Sequence, residues 1–346
     1  MDNSIERIPF GIAPLDIATS GGFLKGKVNL WYGPPKSGKT NLAYSAIAQL
    51  QKIEEGKLTY CFNGEDKDDE EFARGIGVVW ERIEEAPPEY LEIHLNTVLD
   101  VARNIDNKWD NIHCIFIDGM KNMPANVRLE KSIGNMDYGI ESQIWNKFYA
   151  QLPMLLAKRR IAGFPLTILV TNHQGEGHST VPGMPNPIII PRGKQQLYAA
   201  HMRVRLKNPK YVGEKTLNGF KVPFALEVKF IVESNLGSIS KVEGEYRLFQ
   251  VGTEFNKPGT CDELDFLYKI GISTGYITKA HIIGEDFKFA NKAELFSLWN
   301  RDKILYWKHR DAIVQLGVEL FKLGSKNTKE GEVIKNDTET TSLEEE

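Results

Sequence analysis

The stretch Gly33-Pro34-Pro35-Lys36-Ser37-Gly38-Lys39-Thr40 constrains this chain more than any other. It fits the pattern G-x-x-x-x-G-K-[ST] in full, and its flanks fit as well. Val28 to Tyr32 before it reads as a short buried strand. Asn41 to Ile53 after it carries Leu42, Ala46, Leu50 and Ile53 near helical spacing, and Gly56 ends the run. In a strand, loop and helix of this kind, loop N–H groups and the helix N-terminus surround phosphates. Lys39 is then expected to reach the β- and γ-phosphates and the Thr40 hydroxyl to ligate Mg²⁺. Asn41 completes the expected nucleotide-binding set. A chance GKT in a glycine-rich turn would lack these flanks.

Size allows one large domain and a small one in 346 residues. At 41% hydrophobic and 26% charged the composition is that of ordinary globular material. No apolar run approaches the roughly 18 residues a membrane span needs. Met1 to Arg7 is polar and charged, without the pattern of a secretory signal. Cys61, Cys114 and Cys261 are scattered, and none has metal-ligand spacing. Reduced core thiols in a cytoplasmic protein are the expectation. Net charge is −3, yet Ser325 onward holds seven acidic and three basic residues. That polar tail is expected to be disordered.

Taken in order, Leu58 to Phe62 reads as a second strand ending at Asn63-Gly64-Glu65-Asp66. Carboxylates at a strand's C-terminal end sit where doubly wound sheets keep their chemistry. Asp68 to Arg74 reads as helix, Leu91 to His94 as a third strand and Thr97 to Trp109 as helix. Ile112 to Asp118 is a continuous apolar strand ending in an aspartate, as suits a parallel sheet covered on both faces. Asp118 either supports Mg²⁺ beside the phosphate loop or caps the next turn. Lys121 to Asp137 reads as a loop and Tyr138 to Ile161 as a long helix interrupted by Pro153. Leu166 to Val170 is a fifth strand, followed by Thr171-Asn172-His173-Gln174. Gly175 to Lys194 has no period of either kind, and a loop of that length in a compact domain is usually functional.

Met202, Val204 and Leu206 alternate with Arg203, Arg205 and Lys207, giving a strand with one apolar and one basic face. The basic face is either a binding surface or simply solvated. Asn218-Gly219 signals a hairpin into Ala225 to Val232. An antiparallel extension of the parallel sheet is expected there. After Cys261 the pattern gives a helix ending at Gly271, short strands at Tyr276 to Thr278 and Phe287 to Phe289, and helices at Lys292 to Asn300 and Lys303 to Leu323. These features place a phosphate loop, carboxylates and polar residues along one sheet edge. The expected activity is a nucleoside triphosphatase, in which Glu65 either orients the attacking water or serves as a helix N-terminal charge.

The order of these segments resembles the RecA family of DNA recombinases, closest in look to their bacteriophage relatives. The resemblance runs from about Gly11 to Leu323. Gly11 to Ala18, Gly21-Gly22 and Tyr32-Gly33-Pro34 look like the family's entry into its phosphate loop. Asn63 to Asp66 with Phe72 to Val78 looks like its catalytic-glutamate segment. The resemblance implies Glu65 and Lys39 as catalytic residues, Phe72 stacking on adenine and Asp69 contacting the base. Leu129 to Asp137 looks like a first DNA-binding loop, with Tyr138 against the bases, and Gly175 to Lys194 like a second. Arg128, Lys131, Arg192 and Lys194 become the implied DNA-binding cations. Asn172-His173-Gln174 is similar to the γ-phosphate sensor, held either by His173 or by Gln174.

The implied fold is an α/β RecA-like P-loop NTPase core, mostly parallel with an antiparallel extension, plus a small C-terminal α+β domain and a disordered acidic tail. The implied division is 1–10, a core at 11–259 with DNA loops near 121–138 and 175–194, an accessory domain at 260–324, and a tail at 325–346. ATP and Mg²⁺ are the implied cofactors. Single-stranded and duplex DNA, further copies of the chain in a helical filament or a ring, and single-strand binding and loading proteins are the implied partners. About ten residues precede Gly11, fewer than the family's polymerisation arm, and Ile231 to Leu236 carries no lysine for a neighbour's nucleotide. Nucleotide-coupled assembly either weaker than that of bacterial members or built differently is therefore expected. Two other functions stay open on the same core: single-strand annealing with dispensable ATP, and a ring-forming ATPase.

Overall fold

In this computed structural model the described residues are 5–64, 69–103, 109, 111–126, 139–177, 184, 187–278, 281–285 and 288–327. The chain opens with β1 (Arg7–Ile8), α1 (Ala13–Ala18) and β2 (Phe23–Leu24), where β1 and β2 pair antiparallel. There follow β3 (Val28–Gly33), α2 (Lys39–Ile53), β4 (Leu58–Asn63), α3 (Glu70–Ile76) and β5 (Ile83–Glu85). Next come α4 (Leu91–Arg103), β6 (Ile112–Asp118), α5 (Ile140–Ile161) and β7 (Thr167–His173). A two-strand ribbon, β8 (Gly175–Glu176) with β9 (Ile188–Ile189), precedes α6 (Gln195–Ala199) and β10 (Met202–Leu206). The long hairpin β11 (Lys210–Leu217) and β12 (Phe220–Asn235) turns at Asn218-Gly219, and β13 (Val242–Phe249) returns along β12. Three helices close the chain: α7 (Leu264–Ser273), α8 (Lys292–Arg301) and α9 (Lys303–Asn327).

The main sheet has nine strands in the order β11-β12-β10-β3-β7-β6-β4-β5, with β13 also on β12. From β10 to β5 every pairing is parallel. The antiparallel extension begins at β12, so β10 belongs to the parallel run and joins β3 to the hairpin. β3 and β6 are buried along their whole length, as continuous apolar strands covered on both faces must be. One face packs Leu42, Ala46, Ile47 and Leu50 of α2 against Trp31, Phe116 and Val204. The other packs Leu95, Val98 and Leu99 of α4 and Trp145, Phe148 and Leu152 of α5 against Leu30, Ile115 and Ile168. Truncating fully buried Trp145 to alanine would cost about 3–5 kcal/mol.

Several expectations are corrected. Leu91 to His94 is the first turn of α4, not a strand. Leu91, Leu95, Val98, Leu99 and Ala102 recur with helical period and are all buried, and the strand beside β4 is Ile83–Glu85. The helix expected at Thr97 to Trp109 is therefore described as Leu91–Arg103. The ends expected for other helices shift by a few residues, to Glu70–Ile76 and Ile140–Ile161. The strands expected at Tyr276 to Thr278 and Phe287 to Phe289 are represented by isolated bridges, Ile277 to Ile282 and His281 to Lys288, among the described residues. Ser325 to Asn327, expected in the tail, continue α9. The rest of that expected tail lies outside the described residues.

The C-terminal helices build their own apolar cluster around Leu267, Leu295, Trp299 and Ile313, and Ala13 and Ile17 of α1 join it. Beneath that contact Arg310 of α9 is buried between two carboxylates. Its guanidinium lies 2.5 Å from Glu263 Oε1 and 3.5 Å from Asp16 Oδ2. Glu263 Oε2 accepts from the Ala13 N–H at 2.8 Å, and Asp16 Oδ1 from the Phe10 N–H. Burial pushes the Asp16 carboxyl up to about 7 against the opposing pull of Arg310.

Candidate nucleotide-binding site

The phosphate loop follows from two backbone requirements. At Gly33 a Cβ would stand 2.5 Å from the Leu206 carbonyl oxygen of β10, so only glycine lets the strands approach this closely. At Gly38 φ is 87°, a left-handed turn that starts α2. Lys39, the first residue of α2, is buried and points back into the loop, donating to the Pro34 carbonyl at 2.8 Å. Ser37 Oγ, also in the loop, is buried and has no hydrogen-bond partner among the described residues. A buried hydroxyl of that kind beside Lys39 suits an incoming phosphate oxygen. Lys36 lies in the same loop with φ of 60°.

Thr40 faces the end of β6. Its Oγ1 donates to Asp118 Oδ2 at 3.0 Å, and Thr171 Oγ1 of β7 donates to Asp118 Oδ1. The Gly119 N–H in turn donates to Thr171 Oγ1 at 3.0 Å. The parallel register brings Asn63 level with Asp118 and Gly33 level with His173, so the ends of β3, β4, β6 and β7 share one edge. A hydroxyl and a carboxylate that converge beside a phosphate loop have the donor set of a Mg²⁺-nucleotide site: hard oxygen ligands, one of them anionic. The residues present fit the metal.

A cavity of about 520 Å³ opens over this edge, bordered by Pro35 to Asn41, Phe72 and His173. Sequence reasoning missed the far wall: Tyr211, Leu226, Leu248, Gln250 and Gly259. These come from the antiparallel hairpin and the loop after β13. The only local signal was the Pro258-Gly259 turn pair. Asn41 Nδ2 donates to the Gly259 carbonyl at 2.9 Å, and the Phe72 ring lies against Gly259. Asp69 is the N-cap of α3 and accepts from the Phe72 N–H at 2.8 Å. It thereby orients the helix that carries the ring. Asp69 and Phe72 also border an adjoining cavity of about 710 Å³.

The three residues after Thr171 divide. His173 borders the nucleotide cavity. Buried Asn172 turns to the returning segment, donating from Nδ2 to the Pro191 carbonyl and to Gln196 Oε1, both at 3.0 Å. Gln174 donates its N–H to the Gly33 carbonyl at 2.9 Å. Arg192, with φ of 72°, lies 3.3 Å from Glu141 Oε2 of α5, a carboxylate only 1% exposed. Its charge therefore has a partner within the protein. Lys194 is exposed at the start of α6. On β10, Arg205 lies 3.7 Å from Glu233, which also accepts from the Tyr32 hydroxyl at 2.6 Å. The basic strand face is thus partly answered by a carboxylate. Glu65, Arg128, Lys131 and Tyr138 lie outside the described residues.

Comparison with known proteins gives a consistent result. Residues 1–215 match the family model of the RecA N-terminal domain. The protein RecA of Nautilia profundicola is 31% identical over 155 residues, 44% of this chain and 42% of that relative. That of Aquifex aeolicus is 28% identical over 222 residues, 63% of this chain and 60% of the relative. The chloroplastic DNA repair protein recA homolog 1 of Arabidopsis thaliana is 29% identical over 143 residues, 41% and 31% of the two chains. The chain thus spans between about a third and three fifths of the length of these relatives.

Proposed function

Because the chain belongs to the RecA family, we propose that it is a DNA-dependent ATPase of recombination and repair, which binds single-stranded DNA, assembles on it and promotes pairing with a homologous duplex. The observation that carries this reading is the meeting of Thr40 and Asp118 at 3.0 Å beneath the phosphate loop, within a cavity walled by Phe72 and His173. Identities of 24–31% to bacterial and chloroplast RecA proteins support a divergent branch, such as the bacteriophage one.

In this reading loop N–H groups, Ser37 and Lys39 hold the triphosphate, and Phe72 stacks on the base. Thr40 and Asp118 would hold Mg²⁺, which would supply charge neutralisation at the phosphates. Glu65 takes the proton of the attacking water. His173 meets the terminal phosphate, with Gln174 the alternative. Asn172, one residue away and bonded to Pro191 and Gln196, couples that contact to the segment ending in Lys194. Arg128, Lys131 and Lys194 contact DNA phosphates, a term that sets affinity without reading sequence. Tyr138 lies against bases. Arg192 acts chiefly by holding the returning segment to α5. The division near residue 260 into core and accessory domain belongs to the same reading.

The decisive measurement is the ATPase rate with and without single-stranded DNA, for the parent and for Glu65→Gln. Stimulation by DNA in the parent and its loss in Glu65→Gln are expected. A rate indifferent to DNA would overturn the reading. Strand annealing that persists undiminished in Glu65→Gln would favour a binding protein with dispensable hydrolysis. Closed rings under the electron microscope with ATP and single-stranded DNA would favour a ring-forming ATPase.

A further inference from the structure

Behind the nucleotide cavity, between α2 and the start of α9, lies a second cavity of about 280 Å³. Three lysines from distant parts of the chain border it: Lys52 near the end of α2, Lys257 in the loop after β13, and Lys303 at the first residue of α9. Among the described residues none of the three has a carboxylate oxygen within 4 Å. Lys52 Nζ donates to Gln49 Oε1 at 3.4 Å, and otherwise aromatic rings take that place. Lys52 Nζ lies 5.7 Å from the Trp307 ring centre, and Lys303 Nζ lies 5.8 Å from Phe255 and 5.4 Å from Tyr306. A ring face attracts an ammonium but accepts none of its hydrogen bonds in full. Burial lowers the pKa of both Lys52 and Lys303; at Lys52 the nearby Arg310 charge adds to that and Asp311 opposes it without reversing it.

Glu263 also borders the cavity, and its oxygens are already engaged. Oε1 accepts from the Tyr306 hydroxyl at 2.8 Å, Oε2 from the Ala13 N–H at 2.8 Å, and Arg310 answers its charge. Three lysines therefore border a cavity that offers, among the described residues, no available carboxylate acceptor. At its mouth Trp307 is 46% and Phe255 38% exposed, leaving flat apolar faces beside the charges. A group with several anionic oxygens satisfies three ammoniums at once better than a single carboxylate does. A planar base satisfies the ring.

We propose that this cavity between α2 and α9 binds the phosphate of a nucleotide through Lys52, Lys257 and Lys303, with the base against Trp307. Gly259 borders both this cavity and the nucleotide cavity over the phosphate loop. The proposal does not require the phosphate loop to bind ATP. The nucleotide has two sources of the same chemistry, free in solution or part of a DNA strand.

The test uses the full chain carrying Lys39→Ala, titrated separately with deoxythymidine 5′-monophosphate and with a short 5′-phosphorylated oligothymidylate, read by tryptophan fluorescence and calorimetry. Adding Lys52→Gln with Lys303→Gln is expected to weaken binding by about tenfold or more. Trp307→Phe should remove most of the fluorescence change. Binding of the mononucleotide with no gain for the oligomer assigns the site to free nucleotide. Tighter binding of the oligomer, lost in the double-lysine variant, assigns it to a strand. If neither probe distinguishes the double variant from its parent, or neither binds, the proposal is overturned. Should circular dichroism show the double variant unfolded, Lys257→Gln alone serves, with a severalfold loss expected and an unchanged affinity overturning the site. Retained tight ATP binding in the Lys39→Ala protein would count against the phosphate-loop reading and leave the lysine comparison intact.

Discussion

Two buried polar regions of this molecule are built in opposite ways. At the phosphate-loop edge, Lys39 bonds Pro34 five residues back, and hydroxyls of Thr40 and Thr171 satisfy Asp118. At the junction with the C-terminal helices, Arg310 stands between Asp16 and Glu263, groups far away in sequence. The first region joins a lysine to a loop carbonyl and hydroxyls to a carboxylate, and it leaves room for a ligand. The second is held by ion against ion, and its groups face one another. Removing a charge from the first should harm binding while folding survives. Removing one from the second should harm folding first.

The largest expected effect tests the junction. Arg310→Met leaves two carboxylates buried without their cation, a loss of about 3–5 kcal/mol. Urea denaturation should show it, while the fraction that remains folded binds ATP as before. A change under about 1 kcal/mol would mean water reaches these carboxylates. Lys39→Ala should show the reverse: ATP affinity falls by about 2–3 kcal/mol, from the loss of charge-assisted bonds, with the midpoint of unfolding little changed. Retained affinity would break the comparison at its other end.

A smaller effect comes from Asp118→Asn, which keeps an oxygen for the threonine hydroxyls and removes the charge. The Mg²⁺ concentration giving half-maximal ATPase activity should rise by about tenfold. An unmoved Mg²⁺ dependence would leave Asp118 a turn cap. Smaller again is the pH dependence at the junction. The Asp16 carboxyl is raised in the folded protein by burial, so its proton is bound more tightly folded than unfolded. Its contribution to stability is then full below the ordinary aspartate range and is lost as pH rises towards about 7. Stability of Asp16→Asn should lack that decline; an identical pH profile would show that Arg310 keeps Asp16 ionised. The smallest effect contrasts two neighbours. Lys194→Ala should reduce the salt dependence of DNA binding by about one unit of slope without altering stability. Arg192→Ala should instead destabilise by about 1–3 kcal/mol, because buried Glu141 loses this ion pair.

At Leu91 the local pattern and the structure part. A short apolar run after Pro87-Pro88 suits a strand as well as a helix, and only the longer spacing to Ala102 separates them. Arg192 shows a different limit of the local pattern. A basic residue in a long loop suggests a phosphate contact, but nothing within the loop announces that Glu141 waits on α5. The far wall of the nucleotide cavity was hidden for a related reason. Leu226, Leu248 and Gln250 look like ordinary strand residues until β12 and β13 fold alongside the loop.

Sequence alone determined the phosphate loop, the apolar strands Val28 to Tyr32, Ile112 to Asp118 and Leu166 to Val170, and the hairpin at Asn218-Gly219. Each is governed by interactions between near neighbours: the left-handed turn at Gly38, continuous apolar strands, a two-residue reversal. Only the tertiary structure decided that Thr40 meets Asp118, that Arg192 answers Glu141, and that Lys52, Lys257 and Lys303 converge on one cavity. Those pairings depend on which side chains the strand register and the helix packing bring within a few ångströms, and no local pattern carries that distance.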